Sequence, residues 1–182
     1  QSPYSASKIG ADMMALSHRH AFELPVTVVR PFNTYGPRQS ARAVIPTILA
    51  QLHAGARQIK LGSLTPTRDF TYVTDTAAGF MAVADCDRAL GEVVNLGTGR
   101  EISIGALAEA LIAASGREAE VVVDAERLRP AGSEVERLLS DNSRAREWAS
   151  WRPEVSLEQG LKWTSEWVAE HLHLFAADRY QV

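Results

Sequence analysis

The chain has 182 residues, 46% of them apolar, which is enough to bury the core of one domain or one and a half. Its 19 Lys and Arg against 22 Asp and Glu give a formal net charge of −3, so neither nucleic acid nor an anionic membrane surface is an expected partner. The single cysteine, Cys86, excludes an internal disulfide framework and suits a cytoplasmic setting, and no apolar run is long enough for a membrane span.

Pro3 can seat a first helical turn, and Ile9, Met13, Leu16 and His20 recur at helical spacing, which predicts a helix from Tyr4 to about His20. Leu24 to Phe32 is β-branched and almost continuously apolar, the pattern of a strand covered on both faces of a parallel sheet. A turn-rich loop, Asn33 to Ser40, leads to a helix over Ala41 to His53 that Gly55 can end, and then a short strand at Ile59 to Gly62. Arg68 to Val73 alternates like a strand, with Thr74 or Asp75 as cap of a helix from Thr76 to about Ala84. Val93 to Leu96 is a second buried strand, and Glu101 to Ile104 an extended piece before an alanine-rich helix that stops at Gly116. A strand at Ala119 to Asp124, a polar stretch and an extended Arg137 to Ser140 follow. Next come a short helix capped by Asp141 or Asn142 and a last helix opened by the Ser156/Gln159 capping box. Strands alternating with helices predict an α/β fold with parallel pairing.

Tyr4 and Lys8 lie four apart on the first helix, so both project from one face. An ammonium beside a phenol favours the phenolate, which suits such a pair to proton transfer, although two surface residues would share the spacing. Arg68 and Arg129 offer planar donor forks suited to phosphate oxygens; Arg68 could equally form a local pair with Asp69. Asn95 ends a buried strand, where open α/β sheets collect ligands, but it also reads as a turn former ahead of Gly97. The five histidines have no metal-ligand spacing, so no metal is expected. The four tryptophans read as core, with Trp163 and Trp167 stacked one helical turn apart.

Several ordered strings resemble the extended short-chain dehydrogenase/reductase superfamily in its NAD-dependent nucleotide-sugar epimerase and dehydratase branch. They are Pro3-Tyr4-Ser5-Ala6-Ser7-Lys8, Arg30-Pro31-Phe32-Asn33-Thr34-Tyr35-Gly36-Pro37-Arg38, Thr67 through Asp75, Val94 through Gly99, and Arg129-Pro130. The resemblance implies that Tyr4 moves a proton at the sugar 4-hydroxyl and that Lys8 holds the nicotinamide ribose. It implies Pro31 beside the cofactor, NAD rather than NADP. It also implies Asn33, Ala43, Val44, Arg68, Asn95 and Arg129 around a nucleotide-diphosphate sugar, while turn chemistry at Pro31 and core packing at Ala43 and Val44 remain open. A homodimer through the Tyr4–Lys8 helix follows from the same resemblance.

The glycine-rich turn that cradles a dinucleotide in this family has no counterpart in the sequence. The expectation is therefore the C-terminal part of a Rossmann-like parallel sheet plus a small α/β substrate-binding lobe, without the N-terminal cofactor segment. Residues 1–40 would end the dinucleotide-binding domain and 41–182 form mainly the substrate lobe, with about 74–98 returning to the sheet. The expected activity is a 4,6-dehydratase that oxidises sugar C4 transiently, inactive as a fragment; a 4-epimerase and a non-catalytic nucleotide-binding relative are the alternatives.

Overall fold

The computed structural model describes residues 2–128, 132 and 134–175. It is an α/β structure in which, among the described residues, every strand pair is parallel except one. Strand β1 (Val28–Pro31) pairs with β6 (Val93–Leu96) in the register Val28↔Val93 to Pro31↔Leu96. Helices α3 (Val73–Ala84) and α5 (Ser143–Trp148) pack on this pair, enclosing Val83, Ala89, Val94, Leu96, Ala145 and Trp151. A larger cluster lies among α2 (Val44–His53), α4 (Ile104–Ser115) and α6 (Leu157–Glu170), which close over β3 (Gln58–Leu61) paired with β8 (Glu120–Val123). Ile45, Ile48, Leu49, Leu107 and Leu111 are completely buried there, each contributing roughly 1.5–3 kcal/mol of transfer free energy.

The predicted strand at Leu24 to Phe32 is shorter than expected. Leu24 is exposed and Pro25 has no N–H; Val26 O accepts from Gly91 N at 2.7 Å, and the regular ladder starts at Val28, whose N–H donates to Glu92 O at 3.0 Å. The single strand predicted over Arg68 to Val73 is two. Strand β4 (Thr67–Arg68) sits between β7 (Ile102–Ser103) and β9 (Arg137–Leu138), whereas β5 (Phe70–Tyr72) pairs with β2 (Asn33–Tyr35). Asp69 makes the transfer: its N–H donates to Leu138 O in one sheet, and its carbonyl accepts from Asn33 Nδ2 beside the other.

Helix termini follow the side chains available. Ser103 and Ser156 accept from Ala106 N and Gln159 N, and Gly116 ends α4 at φ +64. Neither Thr74 nor Asp75 caps α3, which begins at Val73. Asp75 lies in its first turn, where its carboxylate accepts from Val155 N and its carbonyl from Trp151 Nε1, fastening the helix to the segment before α6. The tryptophans do not all enter the core. Trp151 is buried and Trp148 is flanked by the guanidinium groups of Arg88 and Arg144, but Trp163 is 42% exposed and tilts against Tyr72. Trp167 stacks on His171 at 4.3 Å rather than on Trp163. Among the described residues no helix is long and apolar enough to cross a membrane.

Candidate active site

Helix α1 (Pro3–Phe22) carries the pair picked out by spacing. Ser2 Oγ accepts from Ser5 N, Pro3 occupies the first turn, and the ladder then holds Tyr4 and Lys8 one turn apart. Lys8 Nζ lies 5.5 Å from the Tyr4 ring centroid, and the phenol is 70% exposed. No residue of α1 is buried; its tie to the sheet includes the ion pair of Asp12 with Arg30 of β1 at 2.6 Å. Two other tyrosines are chemically quiet. Burial pushes the Tyr35 phenol up, reinforced by Tyr72 and Asp75, and burial likewise raises Tyr72; the Tyr35 hydroxyl donates to Leu157 O.

Four of the residues expected around substrate line one cavity of about 500 Å³: Asn33, Ala43, Val44 and Arg68. They arrive from three parts of the chain, the start of β2, the entrance to α2 and the end of β4. Arg68 is held tightly. Its Nη1 donates to Thr67 O at 2.8 Å and Val135 O at 2.6 Å, its Nη2 to Glu134 Oε1 at 2.9 Å, and its side chain is 13% exposed. The local Arg68–Asp69 pair is therefore not formed. Asp69, fully buried, accepts instead from Thr98 N, Thr98 Oγ1, Gly99 N and Ser140 N.

The structure does not bring Asn95 or Pro31 to that cavity. Asn95 Nδ2 donates to Asp141 O at 3.2 Å, and Pro31 ends β1 on its exposed side. Arg129 lies outside the described residues. Sequence reasoning missed Gln39, Arg42, Thr47, Arg127 and Glu134, which complete much of the wall. Thr47 gave no signal, because its hydroxyl acts locally on Ala41 O and Ala43 O. Arg42 did offer one, an arginine in a turn-rich loop just before an apolar helix. A second cavity, about 550 Å³, opens beyond Phe70 between Thr98 to Ile102 and Pro153 to Leu157. Among the described residues no cluster of three or more His, Cys, Asp or Glu could hold a metal.

A Tyr-x-x-x-Lys helix feeding a parallel strand pair, with an arginine-lined cavity beyond the strand ends, defines a Rossmann-like short-chain dehydrogenase/reductase. The sequence profile of the GDP-mannose 4,6 dehydratase family matches residues 1–164, and the chain belongs to that family of NAD-dependent nucleotide-sugar epimerases and dehydratases. It is 35% identical over 176 residues to a UDP-glucuronate 4-epimerase of Thermodesulfobacterium geofontis, covering 95% of this chain and 52% of the relative. It is 33% identical to the human dTDP-D-glucose 4,6-dehydratase, covering 94% and 49%. Its fold superimposes on the dTDP-glucose 4,6-dehydratase of Bacillus anthracis in complex with NAD, with a TM-score of 0.84 and 30% identity over 96% of this chain and 54% of that one. The chain spans about half the length of the relatives it matches.

Proposed function

We propose that the chain provides the proton-transfer pair and most of the substrate lobe of an NAD-dependent nucleotide-sugar 4,6-dehydratase, with the dinucleotide held mainly by residues outside these 182. Residues 1–40 and about 74–98 then belong to the dinucleotide-binding unit and the rest of 41–182 to the lobe. The observation that carries this reading is the meeting of Asn33, Ala43, Val44 and Arg68 in a single cavity. Arg129 and Asn95 complete the proposed substrate set, and Pro31 the cofactor side.

The residues present fit only the nicotinamide-ribose end of NAD. Lys8 and Tyr4 stand together on an open helix face, whereas the two-glycine turn after β6, Gly97 to Gly99, has its Thr98 and Gly99 N–H groups already given to Asp69. That turn cannot also cradle a pyrophosphate. When bound, NAD supplies the hydride acceptor for sugar C4. Tyr4 takes the proton of the sugar 4-hydroxyl as that carbon is oxidised and, because a dehydratase product keeps the 4-keto group, does not return it to that oxygen, as an epimerase would; Lys8 holds a ribose hydroxyl and sets its ammonium beside the phenol. The 182 residues alone turn over no substrate. The chain pairs as a homodimer through α1, a reading supported by the exposure of Ile9, Met13 and Met14.

The epimerase alternative is favoured by the 35% identity to a UDP-glucuronate 4-epimerase. Incubating the intact protein with UDP-, dTDP- and GDP-sugars and NAD separates the two: a 4-keto-6-deoxy product marks the dehydratase, a C4 epimer the epimerase. Tyr4→Phe is expected to lower kcat by at least about 100-fold. A variant as active as the wild type would remove Tyr4 from the mechanism.

A further inference from the structure

Four charged side chains line the 500 Å³ cavity among the described residues: Arg42, Arg68, Arg127 and Glu134. Arg68 is paired with Glu134 at 2.9 Å, and Arg127 with Asp124 at 3.4 Å. Arg42 differs, for among the described residues its guanidinium makes no ion pair and no hydrogen bond, which leaves its donors open to a ligand.

The backbone that carries Arg42 is nevertheless fixed. Arg42 N donates to Ser40 Oγ, Ala43 N to Ser40 O, and Thr47 Oγ1 to both Ala41 O and Ala43 O. A side chain left untied on a tied loop can engage a ligand without the cost of ordering the main chain. Arg68 is the poorer candidate for that engagement. Three of its five N–H groups are already donated and its side chain is largely buried, which suits it to shaping the cavity floor.

We propose that Arg42 is a further anion contact of this cavity, its planar fork holding an oxyanion of the bound nucleotide sugar. The inference rests on the nucleotide-sugar reading above. Two groups of such a ligand present the required pair of oxygens: a phosphate of the diphosphate, or the carboxylate of a uronic sugar. Whichever it is, Arg42 adds an unpaired guanidinium to a wall that already carries Arg68.

The test is calorimetric titration of the intact protein and its Arg42→Gln and Arg42→Lys variants with UDP, dTDP, GDP, UDP-glucose and UDP-glucuronate at low salt. Arg42→Gln is expected to weaken binding at least about tenfold, with Arg42→Lys intermediate because it keeps the charge and loses the fork. A loss shared by the nucleoside diphosphates and both sugars assigns the contact to phosphate. A loss confined to UDP-glucuronate assigns it to the carboxylate. Affinities of Arg42→Gln within twofold of wild type for all five ligands overturn the inference and leave the nucleotide-sugar reading standing. Failure of the wild type to bind any of them overturns both.

Discussion

Replacing Asp69 by Asn tests how much of the lobe depends on one buried group. Its Oδ1 accepts from Thr98 N at 2.9 Å and Thr98 Oγ1 at 2.5 Å, and its Oδ2 from Gly99 N at 2.9 Å and Ser140 N at 3.2 Å. An amide offers one accepting oxygen, so its nitrogen must face donors. In the milder orientation it meets Thr98, whose hydroxyl can turn to accept, and one buried N–H is orphaned at a cost of about 1–3 kcal/mol. The bonds that remain go to a neutral acceptor, which forfeits about 1 kcal/mol each, partly offset by the smaller desolvation of an amide. The net expectation is a destabilisation of about 3 kcal/mol, a large share of a typical domain's 5–15 kcal/mol. Urea unfolding of the intact protein should show it as a lower midpoint at unchanged slope, with Tm falling by about 6–12 °C. Stability of Asp69→Asn within about 1 kcal/mol of wild type would refute the reasoning.

Two further expectations concern charge and assembly. Hydrogen bonds from Arg137 and then Thr67 hold the Glu101 carboxyl down to about 2 from its ordinary 4.5. Because the folded value is depressed, the stabilisation is complete above about pH 4.5 and is lost as pH falls towards 2. Melting curves should decline across that window, and Glu101→Gln should flatten the decline; an identical pH profile in the variant would show that the pair does not contribute. On α1, Met14 is 66% exposed on the face that also carries Ala11, Ala15 and His18. Sedimentation should find the intact protein dimeric and Met14→Asp monomeric, and a dimer surviving the substitution would exclude that face.

Much of this fold is legible in the sequence because local chemistry and tertiary use agree. Pro3, Gly116 and Ser156 set helix ends that the structure reproduces, and Val93 to Leu96 is a strand, though only Val94 and Leu96 are buried in it. The departures occur where a residue serves a distant partner. Asp75 has a cap's chemistry, but spends it on Val155, 80 residues away, and Asp69 divides what reads as one strand because it answers to two sheets. The site shows the same division. Asn33, Ala43, Val44 and Arg68 converge as their motifs imply, while the pairing of Arg68 with Glu134 leaves no trace in either local string. The roles proposed for Tyr4 and Lys8 rest on the accompanying motifs, since four-residue spacing alone fits any exposed helical pair.

The anchoring of the Gly97 to Gly99 turn by Asp69 bears on how such a lobe can diversify. Three of the four donors that reach the carboxylate are main-chain N–H groups, and only Thr98 also contributes its side chain. Ser140 supplies this bond through its main chain, so the bond does not depend on a side chain that is itself buried against Gly97. Position 97 has no latitude, because an added Cβ would collide with Ser140. Exchange of the outward-facing side chains of the turn would leave this frame in place, because the frame hangs on one carboxylate and on main-chain donors.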